Sequence, residues 1–213
     1  MSEETAAFVG AHLLMAGRLV DDDPETALAH AEAARSRAPR LPVVREAVGE
    51  TAYAAGHYQQ ALAEFRTIRR MSGGDEYLPA MADCERALGR PQEALKIIKQ
   101  GLPKAQDVSQ VVELRLVEAG VRADMGQRNE AVRLLRSEIE RTGQRGPKVA
   151  RARLRYAYAD LLVQAGDVDG AEQWFLAAAA LDAEETTDAL ERVADLRGIS
   201  VDFDLDEDEE PEE

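Results

Sequence analysis

Three histidines, one cysteine, a few paired acids and one run of bases are the residues of this chain with chemistry to offer. His12, His30 and His57 show no His-x3-His spacing, and with a single cysteine, Cys84, there is no Cys-x2-Cys pair. A metal site would need ligands gathered from distant parts of the chain, so surface or groove positions are expected for the histidines. Cys84 has no histidine near it in sequence and is expected to be a buried structural thiol rather than a nucleophile. Acids at Asp21–Asp23 and Glu184-Glu185 stand at turns or helix starts, where capping accounts for them. There is no G-x4-G-K-[ST] loop, and no G-x-G-x-x-G after a strand. Trp174, beside Phe175, is expected to pack between repeats. These residues predict no cofactor, no metal and no catalysis.

The run of bases is different. Arg141, Arg145, Lys148, Arg151, Arg153 and Arg155 fall within fifteen residues that hold no acid. Lys148 and Arg151 lie near the start of an expected helix, where the dipole favours negative charge. A choice that conflicts locally can mark a functional position. Two uses are open: contact with nucleic-acid phosphates, or a dock for the acidic end of the chain.

The elements that must position these residues repeat. A turn glycine followed five residues later by alanine occurs at Gly56/Ala61, Gly89/Ala94, Gly126/Ala131 and Gly166/Ala171, and Asp22/Ala27 is a degenerate copy. The five alanines are spaced by 34, 33, 37 and 40 residues. A second helix follows each turn, with Ala61-x3-Phe65, Ala94-x3-Ile98, Ala131-x3-Leu135 and Ala171-x3-Phe175. First helices carry Val48-Gly49, Met81-Ala82, Glu118-Ala119 and Tyr158-Ala159 at matching places. Small residues allow two helices to approach closely, and glycine supplies the positive φ of a sharp turn.

With a period near 34 and this A-x3-F step, the chain resembles the tetratricopeptide repeat (TPR) family over roughly residues 8–185. The aromatic that opens the family motif is absent throughout, and Pro39 is the one closing proline in place. The resemblance implies an all-α, right-handed α-solenoid of about five helix–turn–helix repeats: 8–41, 42–74, 75–107, 108–146 and 147–185. A capping helix over 186–198 would cover the last apolar face. Within the first repeat the helices are expected at 6–19 and 24–38, and in the last at 148–165 and 168–181. Residues 142–147 form a linker.

Such proteins bind peptides or protein surfaces in a concave groove lined by first helices. Helical phase places Glu46, Glu50, Tyr53, His57, Asp83, Arg86, Arg153, Tyr156 and Asp160 on that face. Glu46, Glu50 and Asp83 stand where a two-carboxylate clamp would need bases, which disfavours an acidic chaperone tail as ligand. Glu64, on the second helix of its repeat, is expected on an exposed face.

Net charge is −15, but nine acids lie within 202–213 and leave about −6 for the rest. That segment, 199–213, is expected to be disordered. Its alternation of Val201, Phe203 and Leu205 with acids reads as a linear motif that covers the basic run. The acidic start MSEET is not expected to act as a signal peptide, and no apolar stretch is long enough to span a membrane. Together with the single cysteine, this predicts a cytoplasmic protein. Two functions stay open: an adaptor that holds a protein partner, and an RNA- or ribosome-associated factor using residues 141–155.

Overall fold

The computed structural model describes residues 1–198, which form eleven α-helices and no strand among the described residues. They divide into two compact units that part at Gly146/Pro147, inside the expected linker. Residues 199–213, with Val201, Phe203 and Leu205, lie outside the described residues.

Unit 1 holds four helix pairs. They are α1 (Glu3–Leu19) with α2 (Pro24–Arg37), α3 (Pro42–Ala54) with α4 (Tyr58–Ser72), α5 (Leu78–Ala87) with α6 (Pro91–Gly101), and α7 (Val108–Asp124) with α8 (Arg128–Thr142). A short 3-10 turn, Leu102–Lys104, follows α6. Side-chain caps explain several starts. Ser2 accepts from the Thr5 N–H, Asp23 from Thr26 and Asp107 from Gln110. The cap at Ser2 starts α1 three residues earlier than its apolar pattern suggests. Prolines open α2, α3 and α6, where a missing N–H costs nothing.

Turn chemistry recurs from pair to pair. Gly56 sits at φ 76°, and the His57 N–H beyond it reaches back to the Ala52 carbonyl at 2.8 Å. The same six-residue closure joins Arg90 to Glu85, Gln127 to Arg122 and, in unit 2, Asp167 to Leu162. The first pair lacks the glycine and closes instead by Asp23 N–H to Leu19 at 2.7 Å.

The repeat alanines Ala27, Ala61, Ala94, Ala131 and Ala171 are all fully buried. Phe65 packs against Gly49, where an added Cβ would come within 2.7 Å of its ring, and stacks on Tyr77 at 4.9 Å between centroids. A buried aromatic of this size contributes about 1.5–3 kcal/mol. Around it Leu62, Ile68, Leu78 and Ile98 join one core that runs from α1 to α7.

Glu64 corrects the expectation of an exposed face: only 7% of it is accessible. Its two oxygens are held by Arg35 at 2.6 Å and Arg45 at 2.7 Å. The pattern recurs along unit 1. Glu85 lies between Arg66 and Arg90, Glu118 between Arg115 and Arg122, and Glu138 between Arg141 and Arg115. A buried carboxylate survives only with such compensation.

Unit 2 contains α9 (Lys148–Ala165), α10 (Val168–Ala179) and α11 (Ala189–Leu196). Phe175 is buried against Tyr156, and Trp174 meets the edge of Tyr158 within its own helix pair rather than across to another repeat. The last helix is shorter than its amphipathic pattern because Asp182 claims the residues before it. Asp182 accepts from the backbone N–H and hydroxyl of both Thr186 and Thr187, at 2.6–3.0 Å. Those four bonds hold its carboxyl down at about 2.

Candidate functional site

The first helices of unit 1 are neighbours: α1 packs on α3, and α5 on α7. Eleven residues before the buried alanine, three repeats place an acid: Glu50, Asp83 and Asp160 precede Ala61, Ala94 and Ala171. Glu46 and Tyr156 share another repeat position, fifteen residues before Ala61 and Ala171.

Asp83 is the centre of a network. The Tyr53 hydroxyl donates to it at 2.5 Å, Arg86 Nε donates at 2.7 Å, and Arg86 Nη1 reaches Asp124 at 2.9 Å. Helices α3, α5 and α7 are thereby linked through side chains on one face. Burial pushes the Tyr53 hydroxyl well above its usual range, and Asp83 adds to the rise, so the phenol stays a donor. Burial works against the Arg86 charge, but Asp83 and Asp124 outweigh it and push the guanidinium pKa up.

Glu50 is placed differently. It receives only a long bond from the Tyr77 hydroxyl, 3.4 Å, and Glu46 lies one turn before it on α3. Burial raises the Glu50 carboxyl against that hydrogen bond, and the Glu46 charge adds to the rise. Beside the two acids a shallow groove runs between α1 and α3, lined chiefly by Leu13, Ala16, Gly17, Val43 and Ala47. Val43 is half exposed.

In unit 2, Arg192 of α11 donates to the Tyr156 hydroxyl at 2.9 Å and to Asp160 at 2.8 Å. Its guanidinium also lies 4.9 Å from the Phe175 ring centroid. Arg153 is exposed on α9. His57 precedes α4 and pairs with Glu25 in the first turn of α2, at 2.9 Å, so it belongs to a turn rather than to the α3 surface.

The basic run crosses from one unit into the other. In unit 1, Arg141 holds Glu138 with two nitrogens, at 2.5 and 2.9 Å, and Arg145 donates to the carbonyls of Arg141 and Thr142. These bases satisfy the C-terminal end of α8, where cations are favourable. In unit 2, Arg151 is buried, Arg155 donates to its carbonyl at 2.9 Å, and Lys148 is exposed.

Cys84 is buried, and burial together with Asp83 and Glu85 pushes its thiol up to about 12, far from a thiolate at neutral pH. His12 and His30, eighteen residues apart, meet at 2.9 Å between their Nδ1 atoms. No group of three metal-ligating side chains forms among the described residues. No described helix is long and apolar enough to cross a membrane.

Asp124, Tyr77 and Arg192, which bond to Arg86, Glu50 and Asp160, carry no mark of their own in the sequence. Their separations from Arg86, Glu50 and Asp160 are 38, 27 and 32 residues. A repeat period near 34 carries the signal, since it brings such positions to adjacent helices.

Residues 52–117 match the family model described as tetratricopeptide repeat. No curated protein matches the chain. A thermophilic TPR protein of Thermus thermophilus superposes with a TM-score of 0.68 at 20% identity, covering 89% of this chain and 98% of that one. PilW, a type IV pilus biogenesis factor, gives 0.61 at 17% identity, covering 94% and 89%. MamA from Desulfovibrio magneticus RS-1 gives 0.53 at 12% identity, covering 84% and 98%. At these identities the likeness is one of fold.

Proposed function

Since the chain is a tetratricopeptide-repeat protein, we propose that it is a non-enzymatic adaptor that holds a partner protein on the first-helix face of unit 1. One observation carries this reading: Tyr53, Asp83, Arg86 and Asp124 are prearranged by mutual bonds across three successive first helices. Polar groups already ordered by one another lower the entropy lost on docking and give direction to the contact. A cytoplasmic setting is consistent with this use.

The test is charge reversal at Asp83→Arg with Arg86→Glu, followed by crosslinked capture in the native cell. Helical circular dichroism should stay close to that of the parent chain while the captured partner is lost. Unchanged capture by a folded double variant would overturn the assignment.

A further inference from the structure

Resting on that reading of the first-helix face, we propose that the groove between α1 and α3 takes a segment of the partner with an apolar ridge flanked by lysine or arginine. The acids at one repeat position supply the first observation. Asp83 has Arg86 and Asp160 has Arg192, whereas Glu50 has no cation among the described residues. The Tyr77 hydroxyl, at 3.4 Å, is a weak substitute. Glu46, four residues earlier on the same helix, likewise has no cation among them. Two like charges at this spacing repel each other. The fold supplies arginine for this acid twice and leaves the third for an outside donor.

The second observation is apolar. Leu13, Gly17, Val43 and Ala47 line the groove directly beside those acids. Gly17 lies inside α1, where glycine weakens a helix relative to alanine. A Cβ there would meet nothing within 4 Å, so packing within the chain does not require glycine. The bare surface there leaves room for close approach by an outside backbone. An occupant lying on Gly17 would bring its flank to Glu46 and Glu50, and a cationic flank would neutralise both. The acidic end of the chain itself, 199–213, has the wrong sign for the place.

The experiment selects short peptides from an unbiased displayed library on the full chain, then measures their affinity for variants by fluorescence anisotropy. Enriched peptides should combine lysine or arginine with leucine, isoleucine or phenylalanine. Gly17→Phe fills the groove from the α1 side without meeting a neighbour, and Glu46→Lys with Glu50→Lys reverses the margin. Each should weaken binding by about tenfold or more. Glu93→Lys, on the second-helix side at α6, should leave it unchanged. Raising salt should weaken binding to the parent chain and matter little once Glu46→Lys and Glu50→Lys are combined.

Acidic peptides among the enriched set, or basic ones indifferent to both groove changes, overturn the proposal. Self-association of the chain that disappears in Gly17→Phe overturns it too, by making a second copy the occupant. Peptides lost only on reversing Asp83 and Arg86 would sink this inference and leave the adaptor reading standing. If no peptide binds and partner capture survives that reversal, both fall.

Discussion

Unit 1 and unit 2 solve the same electrostatic problem in two ways. Each presents an acid eleven residues before its buried alanine. Unit 2 closes the matter internally, with Arg192 laid across Tyr156, Asp160 and the Phe175 ring. Unit 1 does so at Asp83 but leaves Glu50 and Glu46 beside an apolar groove. A repeated position can thus be structural in one copy and open in another. What decides is whether the next element brings a guanidinium.

The largest test asks whether the two units share one packing register at all. Ala61→Trp and Ala171→Trp should each cost about 3 kcal/mol, because both sites are fully buried at a close helix crossing. Glu64→Trp in unit 1 should cost a similar amount, since it also strands Arg35 and Arg45. Chemical denaturation followed by circular dichroism reads all three. A mild effect at either alanine would refute the equivalence of the units.

A smaller set separates the copies at the repeated acid. Asp83→Asn should cost about 1.5–2 kcal/mol, since its charge-assisted bonds to Tyr53 and Arg86 are largely shielded. Asp160→Asn should cost about 1 kcal/mol, discounted for its greater exposure. Glu50→Gln should be neutral or stabilise by a few tenths of a kcal/mol, because Glu50 is exposed, holds no cation among the described residues and is repelled by Glu46. Equal losses at all three positions would mean that Glu50 has structural compensation like the others.

The smallest expected effect is visible only in acid. Asp182 has its carboxyl lowered in the folded chain, so its contribution is present above the unfolded carboxylate range, about 4. It should fade as pH falls from there through about 2. Glu50 has the opposite sign: its carboxyl is raised, so taking up a proton there favours the folded state as pH falls. Acid titration of Asp182→Asn against the parent chain should show the parent's advantage shrinking across that window. A constant difference would rule out the threonine clamp as its source.

The fold was legible because its signals are local and repeated. A turn glycine, an alanine five residues on and a large apolar residue after that are read within one hairpin, and the buried alanines and Phe65 follow from them. Glu64 was misread because helical phase treats a charge as a mark of solvent. The arginines that compensate it come from 29 and 19 residues away, on other helices. Helical phase sets Tyr53, Asp83 and Arg86 off the fully buried stripe, and all three are half-buried, with Tyr53 packed against the core. Which acids there would be neutralised was not visible, since that depends on side-chain reach between repeats.

The contact that fastens α1 to α2 at His12 and His30 has its own consequence. The two facing Nδ1 atoms, 2.9 Å apart, leave room for one hydrogen between them. The rings must therefore adopt opposite tautomers at that edge: one donates from Nδ1, and the other, accepting there, carries its hydrogen on Nε2. Neither ring can change partner alone. Phe8 lies against His12 at 4.4 Å and Arg37 sits over Phe8, so the hydrogen's position is coupled to a stack spanning both helices.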